Sequence, residues 1–198
     1  SSLKDPDQLG MNEYQQKLYT KFTAQTYGLL LVTGPTGSGK STTLYSTLKN
    51  LASPTVNVVT VEDPIEMVVD EFNQIGIQTK IGVTFDSMLR HILRQDPDII
   101  MIGEMRDLQT AEQAIQSALT GHLVFSTVHT NDAASTLTRL IDLGLDAYLV
   151  NAALLGILAQ RLVREICPHC KISHTITQEQ IKALELDDYA ESLSKGLY

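Results

Sequence analysis

Eight consecutive residues carry the strongest chemical signal in the chain. They fit the pattern G-x-x-x-x-G-K-[ST] at every fixed position, and they are Gly34, Pro35, Thr36, Gly37, Ser38, Gly39, Lys40 and Ser41. We call residues 34–41 the phosphate loop. Its glycines let the backbone curl until several N–H groups point at one centre, where they can bind a phosphate group. Lys40 would reach the β- and γ-phosphates of a nucleotide, and the hydroxyls of Ser41 and Thr42 would lie near Mg²⁺.

The sequence on either side supplies the context that this pattern requires. Residues 29–32 form a short apolar run that predicts a buried parallel strand. After the loop, Leu44, Leu48 and Leu51 recur at helical spacing. A strand, a glycine loop and a helix N-terminus in this order favour phosphate binding over the alternative of a turn without a ligand.

Strands and helices alternate along the rest of the chain. The predicted strands cover residues 29–32, 56–61, 72–79, 99–102 and 123–128. The predicted helices cover residues 12–25, 41–51, 85–94 and 110–119, with a helical pattern again from 133 to 164. This alternation predicts an α/β fold with a mainly parallel central sheet flanked by helices and followed by a helical C-terminal region.

Polar side chains follow these strands at their carboxyl ends, where parallel sheets bind ligands. The acidic segment, Glu62-Asp63-Pro64-Ile65-Glu66, follows the strand at 56–61, Glu104 follows the strand at 99–102, and His129 follows the strand at 123–128. ATP hydrolysis needs a metal site and a group that orients or deprotonates water. We expect Glu104 to hold Mg²⁺ and the acidic segment to supply the base, with Glu66 favoured and Glu62 as the other candidate. The alternative for this segment is a solvated turn.

A histidine and three arginines are further candidates for nucleotide binding. We expect His129 to contact the γ-phosphate or a water and to report on the nucleotide state. Arg90 and Arg94 stand one helical turn apart, and Arg106 follows a predicted strand. These arginines are either ordinary surface charges or fingers that complete the site of a neighbouring subunit. His122 begins the strand that His129 ends, so we expect it at the far edge in a structural role.

Composition narrows the class of protein. The 198 residues support one full domain with a small extra piece, and a net charge of −8 argues against a broad nucleic-acid-binding surface. The sequence contains no apolar run near the roughly 20 residues that span a membrane, and its first residues lack signal-peptide character. Its two cysteines, Cys167 and Cys170, share one CxxC and do not make a disulfide framework. We therefore expect a cytoplasmic protein.

Four sequence motifs together resemble the secretion ATPase superfamily. In chain order they read GPTGSGKSTTL, VEDPIE, LRQDPDIIMIGEMRD and TGHLVFSTVHTNDA. The sequence AQRLVREICPHC extends the resemblance and favours the branch that drives type II secretion and type IV pilus assembly. The resemblance implies a RecA-like P-loop NTPase core that works as a homo-hexameric ring. It also implies a partner, an inner-membrane platform protein, and a location at the inner membrane that is peripheral rather than inserted.

The resemblance also implies residue roles. Lys40 and Ser41 bind phosphate and Mg²⁺, Glu66 is the catalytic carboxylate, and Glu104 is the acid linked to Mg²⁺. His122 and His129 are the histidines of the fourth motif. On this basis we expect a lead-in helix and linker at 1–27, the RecA-like ATP-binding core at 28–132, a helical C-terminal subdomain at 133–166, and a cysteine element with a tail at 167–198.

Two departures from the family pattern bear on these expectations. Family members carry large N-terminal domains, whereas 33 residues precede Gly34 here. We therefore expect an excised core that binds ATP weakly and hydrolyses it slowly or not at all. The assembly branch carries two CxxC pairs that bind zinc, and structural zinc needs four ligands. We expect Cys167 and Cys170 to form half a zinc site. Completion of that site by His169 and His174 is the less favoured alternative.

Other functions stay open at this point. A pilus-retraction ATPase of the same superfamily fits the first four motifs, although such proteins generally lack the cysteine element. A RecA-like nucleic-acid translocase fits the nucleotide site, but the acidic balance and the lack of a basic, aromatic-bearing loop argue against it. A nucleotide switch that assembles a ring without hydrolysis is the third alternative.

Overall fold

The computed structural model describes residues 3–174, 176–186 and 188, and in this part of the chain six strands form one sheet. The strands are β1 (Gly28–Thr33), β2 (Val58–Glu62), β3 (Asn73–Gly76), β4 (Ile99–Ile102), β5 (Leu123–Val128) and β6 (Leu154–Ala159). Their order across the sheet is β3-β2-β4-β5-β1-β6, and every neighbouring pair is parallel. The predicted α/β fold with a parallel sheet is therefore confirmed.

Helices lie in most of the connections between the parallel strands, whereas a loop at 63–72 joins β2 to β3. The helices are α1 (Glu13–Thr23), α2 (Lys40–Leu51), α3 (Phe85–Ile92), α4 (Leu108–Leu119), α5 (Ala133–Asp142), α6 (Ala147–Ala153) and α7 (Gln178–Ala183), with short 3₁₀ turns at Pro6–Gln8 and Thr79–Ile81. Most helices begin at a residue whose side chain accepts a hydrogen bond from a backbone N–H of the first turn: Asn12, Thr84, Asp107, Asp132, Asp146 and Thr177.

Helix α2 starts differently from the others. Its first flanking residue is Gly39, which adopts a left-handed φ of 86°, and no described side chain caps this end of the helix. The N–H groups of the first turn of α2 therefore lack the partner that the other helices have. A helix end of this kind favours an anionic ligand.

The sheet is covered on both faces. Alternate residues of the strands face opposite sides, so Leu29 and Leu31 pack with α3 to α6, whereas Leu30, Val32 and Phe125 pack with α1 and α2. The face of α4 that meets the sheet is built largely from small residues without measurable exposure, namely Ala111, Ala114 and Ala118. These small side chains let the helix lie close against the strands.

The prediction of a helical region at 133–166 is wrong in its second half. Helices α5 and α6 occupy the first half and are separated at Gly144, but residues 154–159 form strand β6, which pairs with β1. The sequence LLGILA is a short apolar run, and such a run fits a buried helix and a strand equally well. A side chain at Gly156 would meet the ring of Phe22 at 2.6 Å, so this glycine permits close packing of α1 against β6.

The chain divides into two compact units, Ser1–Leu162 and Val163–Tyr198. The first unit holds the sheet and helices α1 to α6. In the second unit, the backbone N–H groups of Cys170 and Lys171 both donate to the carbonyl of Cys167, which forms a tight turn with two exposed free thiols. The predicted tail at 187 and beyond lies outside the described residues, apart from Asp188. Among the helices of the described ranges, none combines the length and hydrophobicity that crossing a bilayer requires.

Candidate active site

A cavity of about 600 Å³ lies where the carboxyl ends of β1, β2, β4 and β5 meet. Most of the predicted site residues line it: Thr36, Gly37, Ser38, Gly39, Lys40, Ser41, Thr42, Glu62, Glu66, Glu104, Arg106 and His129. Gly34 and Pro35 do not line it; they contribute carbonyl groups that accept hydrogen bonds from Lys40. The structure thus brings together groups that are separated by up to 93 residues of sequence, from Thr36 to His129.

The ammonium group of Lys40 folds back onto the phosphate loop. Its Nζ donates to the carbonyl of Gly34 at 2.8 Å and to that of Pro35 at 3.1 Å. Burial lowers the pKa of Lys40, and the carboxylates of Glu104 and Glu66 act in the opposite direction. Lys40, Glu66 and Glu104 line the same cavity, which therefore holds one basic and two acidic side chains.

The phosphate loop has free hydrogen-bonding capacity, which fits a phosphate ligand. The uncapped first turn of α2 presents its N–H groups at this cavity, where Lys40, Ser41 and Thr42 are lining residues. The buried hydroxyl of Ser38 has no hydrogen-bond partner among the described residues. Phosphate oxygens are acceptors that such donors can satisfy.

Glu62 lines the cavity, but the protein itself engages its carboxylate. The side chain is only 3% exposed. It accepts hydrogen bonds from the hydroxyl of Tyr45, from Thr60 Oγ1 at 2.6 Å and from Gln74 Nε2 at 3.3 Å. Glu66, by contrast, is exposed. Of the two carboxylates that the sequence left open, Glu66 is the one with free access to a bound water.

Tyr45 and Gln74, which the sequence analysis did not single out, hold the chain just after the acidic segment. The hydroxyl of Tyr45 accepts from the backbone N–H of Met67 at 3.4 Å. Gln74 donates from Nε2 to the carbonyl of Met67 at 2.9 Å and accepts from the N–H of Val69 at 2.8 Å. These bonds join α2 and β3 to residues 67–69, next to Glu66. No local motif reveals them, because each contact spans a gap in the sequence.

Glu104 is the centre of a charged cluster after β4. Arg106 Nε lies 2.6 Å from Glu104 Oε2, and His129 Nε2 lies 3.2 Å from Glu104 Oε1. The backbone beneath is tied to β5, because Thr127 Oγ1 donates to the carbonyl of Gly103 at 2.7 Å. This arrangement places His129 and Arg106 beside the carboxylate that the sequence predicts to be linked to Mg²⁺.

A chain of threonine hydroxyls joins the start of the phosphate loop to the segment after His129. The hydroxyl oxygens of Thr33 and Thr130 are 2.6 Å apart, and those of Thr130 and Thr136 are 2.5 Å apart. The N–H of Thr130 also donates to Thr33 Oγ1 at 3.0 Å. These hydrogen bonds therefore connect the start of the phosphate loop to the residue after His129 and to the first turns of α5.

Arg90 and Arg94 are not brought to this cavity. Within the described residues they line a separate, smaller hollow with Asp86, Ser87 and His91, and Arg90 forms an ion pair with Asp86. Neither arginine contributes to the chain's own cavity, and their predicted role at the site of a neighbouring subunit stays a prediction. The reason is topological: α3 runs towards the start of β4, so its last turn lies away from the carboxyl edge of the sheet.

His122 lies away from the cavity, as expected for a structural histidine. Its Nδ1 is 3.0 Å from the carbonyl of Ser117, and the residue lines a second hollow with Asp98 at the amino end of the sheet. Asp98 Oδ2 accepts a hydrogen bond from the backbone N–H of Asn57 at 2.7 Å, so the protein itself supplies a partner for this carboxylate.

Gln160, directly after β6, contacts the phosphate loop and was missed at the sequence level. Its Nε2 donates to the carbonyl of Ser38 at 2.8 Å, and its Oε1 accepts from Thr43 Oγ1 at 2.7 Å. The quoted sequence AQRLVREICPHC contains this residue, but nothing in that pattern shows which element it contacts.

The cysteine pair does not form a complete metal site in the part of the chain that is described. Across residues 3–174, 176–186 and 188, no group of three or more His, Cys, Asp or Glu side chains is arranged to hold a metal ion. Hydrogen bonds from the backbone N–H of His169, from the thiol of Cys170 and from its backbone N–H lower the pKa of the Cys167 thiol. A lowered pKa favours the thiolate, which is the form that binds metals.

The comparison with protein families matches nearly the whole chain. The model of the family described as "Type II/IV secretion system protein" covers residues 1–193. The chain belongs to this family. The resemblance found in the sequence motifs is thereby confirmed.

Individual relatives in this secretion family agree. The chain is 54% identical to the type IV pilus assembly ATPase TfpB of Acinetobacter baylyi, with 97% of the chain and 33% of that protein covered. It is 50% identical to type II secretion system protein E of Pseudomonas aeruginosa, with 92% and 36% covered. The chain thus spans about a third of the length of these curated relatives.

A solved structure shares both fold and sequence. The pilus retraction motor PilT with bound ADP is 38% identical, with a TM-score of 0.69 over 82% of this chain and 49% of PilT. The RecA-like architecture predicted from the motifs is therefore confirmed for the sheet and its flanking helices.

Proposed function

We propose that this chain is the ATP-binding and ATP-hydrolysing core of a motor for type II secretion or type IV pilus assembly. The observation that carries the proposal is the cavity itself, in which the phosphate loop and Lys40 face two separate carboxylates, Glu66 and Glu104. Binding alone would require only the loop. Two carboxylates with different surroundings allow one to serve the metal and the other to serve the water.

The phosphates of ATP would lie over the phosphate loop. The N–H groups at the start of α2 and the ammonium of Lys40 would bind them, with Lys40 exchanging its two backbone carbonyl partners for phosphate oxygens. Ser41 and Glu104 would supply oxygen ligands for Mg²⁺, an ion that is commonly held by one or two protein carboxylates and keeps several waters. When bound, Mg²⁺ neutralises the negative charge that develops on the phosphates during phosphoryl transfer.

Glu66 would accept the proton of the attacking water. It lines the cavity and is exposed, whereas three protein donors already occupy the carboxylate of Glu62. His129 and Arg106 are both bonded to Glu104. They would report the loss of the γ-phosphate, because phosphate oxygens would compete with the Glu104 carboxylate for these two donors. The threonine chain then carries a shift of His129 to α5.

The wider assembly is part of the proposal. In the whole protein, six copies would form a ring that acts on an inner-membrane platform protein from the cytoplasmic side. Arg90 and Arg94, which line a hollow outside the chain's own cavity, would complete the site of the next copy. Cys167 and Cys170 would supply half of a zinc site, with the other ligands from outside the described residues.

Similarity to PilT favours pilus retraction as a second candidate. The higher identities with an assembly ATPase and a type II secretion protein favour the first proposal. Counting retraction events against extension events in a strain complemented with the chain's gene would separate the two. The expected result is that the gene restores no retraction.

The decisive test is Glu66→Gln, with Glu71→Gln as the matched control. Glu71 is an exposed glutamate close by in the chain and lies outside the cavity lining. Loss of a general base lowers turnover about 10²- to 10⁴-fold. Glu66→Gln should therefore abolish most ATP hydrolysis by the full chain in its native assembly, while the Kd for ATP stays close to that of the wild type. Unchanged turnover in Glu66→Gln, or a wild type that does not bind ATP, would contradict the proposal.

A further inference from the structure

We propose that Gln160 is a positioning residue that holds the phosphate loop in the shape that receives ATP. Nothing in the sequence motifs assigns this role to it. The inference rests on the proposed function for its ligand, since the bound group is taken to be a nucleotide. Its structural part concerns only the loop, so it can be tested without nucleotide.

The side-chain amide of Gln160 bridges the loop and the helix that follows it. Its NH₂ group donates to the carbonyl of Ser38 at 2.8 Å, inside the loop. Its carbonyl oxygen accepts from Thr43 Oγ1 at 2.7 Å, in the first turn of α2. One planar group therefore fixes the distance between the loop and α2. Both contacts join residues more than 100 positions apart, so they tie the loop to β6 and not to its own neighbours.

The backbone of Gln160 contacts the beginning of the same loop. Its N–H donates to the carbonyl of Thr33 at 2.8 Å, one residue beyond the register in which Ala159 pairs with Thr33. Its carbonyl lies so close to Gly34 that a Cβ added to this glycine would be 2.2 Å away. Gly34 also has a φ of 144°, so both space and conformation require glycine there. Gln160 therefore contacts the loop at its start and in its middle.

The bond to Ser38 also determines where a neighbouring donor points. In a trans peptide, the carbonyl of one residue and the N–H of the next point in opposite directions. Because Gln160 holds the Ser38 carbonyl, the N–H of Gly39 points away from Gln160. Ser38 and Gly39 line the cavity and Gln160 does not, so this N–H is directed to the side where a phosphate would bind.

An amide is the group that this position requires. It must donate to a carbonyl and accept from a hydroxyl, and a carboxylate can do only the second. Gly39 leaves room for it, since a Cβ at Gly39 would lie 2.9 Å from Gln160 Nε2. A loop held in advance in its bound shape binds its ligand more tightly, because less ordering is needed on binding.

The test compares Gln160→Met, which keeps side-chain length but has no amide, with Gln109→Met. Gln109 is exposed in the first turn of α4, so its variant is the matched control. Hydrogen exchange in the absence of nucleotide should speed up in peptides that cover residues 34–43, with β4 peptides unchanged. The Kd for ATP and the KM should rise about tenfold, which corresponds to about 1.4 kcal/mol. The kcat should stay within about twofold, a split that general destabilisation would not produce.

Thr43 provides an independent check in case Gln160→Met folds poorly. Thr43→Val removes one of the two side-chain hydrogen bonds of Gln160, so hydrogen exchange in the loop should rise less than it does in Gln160→Met. Thr43→Ser keeps the hydroxyl, so its loop should exchange as slowly as that of the wild type. The double variant with Gln160→Met should match Gln160→Met alone, because the shared bond is already lost. Additive effects of the two variants would overturn the proposal.

The outcomes separate this proposal from the proposed function. Unchanged loop exchange in Gln160→Met would overturn the role of Gln160, even if the wild type binds and hydrolyses ATP. A wild type without affinity for ATP would overturn the proposed function, while faster loop exchange in Gln160→Met would still support the structural role. Faster exchange together with an unchanged Kd would overturn the link between loop shape and affinity.

Discussion

Replacing Tyr45 with phenylalanine tests how the acidic segment is held beside the cavity. The side chain of Tyr45 is 1% exposed, and its hydroxyl donates to the buried carboxylate of Glu62. The same oxygen accepts weaker bonds from Met67 N–H and Gln74 Nε2, each at 3.4 Å. Tyr45→Phe removes one oxygen atom and leaves the packing of the ring unchanged, so its effect reports on these hydrogen bonds.

The size of the effect follows from the charge of the acceptor. A hydrogen bond to a charged group contributes about 1.5–3 kcal/mol to the free energy of unfolding. Glu62 keeps its bonds from Thr60 and Gln74, so we expect a loss of about 2 kcal/mol. For a chain of this size, each kcal/mol lowers Tm by about 2–4 °C, which gives a decrease of about 4–8 °C.

Urea unfolding and thermal scans of the wild type, Tyr45→Phe and Tyr14→Phe would measure this loss. Tyr14 is 71% exposed on α1, so its variant should differ from the wild type by less than about 0.5 kcal/mol. Because the hydroxyl of Tyr45 holds the chain next to Glu66, ATP hydrolysis should also fall in Tyr45→Phe. A Tyr45→Phe variant as stable as Tyr14→Phe would refute the reasoning that Glu62 depends on this donor.

Two further predictions concern other buried hydroxyl groups. Burial raises the pKa of Tyr19 from 10.0 to about 12, although the hydrogen bond with Thr47 acts in the opposite direction. Between these two pH values the side chain is neutral in the folded protein and ionised in the unfolded chain. The stability that this provides is complete below pH 10 and is lost as pH rises from about 10 to 12. Urea unfolding at a series of pH values should show that the free energy of unfolding falls less steeply between pH 10 and 12 in Tyr19→Phe than in the wild type. An equally steep fall in both proteins would contradict this prediction. Thr33→Val should destabilise by about 1–3 kcal/mol, because the N–H of Thr130 loses its buried acceptor. Thr33→Ser keeps the hydroxyl and should be about as stable as the wild type. If calorimetry finds the same Tm for the Val and Ser variants, the Thr33 hydroxyl does not stabilise the fold in this way.

Local sequence patterns were sufficient for most of the fold. The bounds of β4 and β5 agree with the prediction at both ends, since short apolar runs between turn residues identify buried strands. Helix α3 was also expected, and it begins at the capping residue Thr84. These features depend on neighbours within a few residues, which is the range over which sequence periodicity carries information.

The edge strand β6 was beyond the reach of such patterns. Its six residues are apolar, and it follows α6 directly. Whether such a run continues a helix or pairs as a strand depends on a free edge of the sheet, and β1 provides that edge. Pairing with a strand more than 120 residues earlier has no signature within the run itself.

The candidate site divides in the same way. The sequence by itself determined the phosphate loop, and it determined which strand ends bring Glu66, Glu104 and His129 to one edge of the sheet, because parallel strands share a direction. Only the tertiary structure decided that the carboxylate of Glu62 is engaged by Tyr45, that Arg90 and Arg94 lie elsewhere, and that Gln160 holds the loop. Each of these depends on hydrogen bonds or distances between separate elements. Such contacts are set by how helices and strands pack, and a single sequence does not encode them in its spacing.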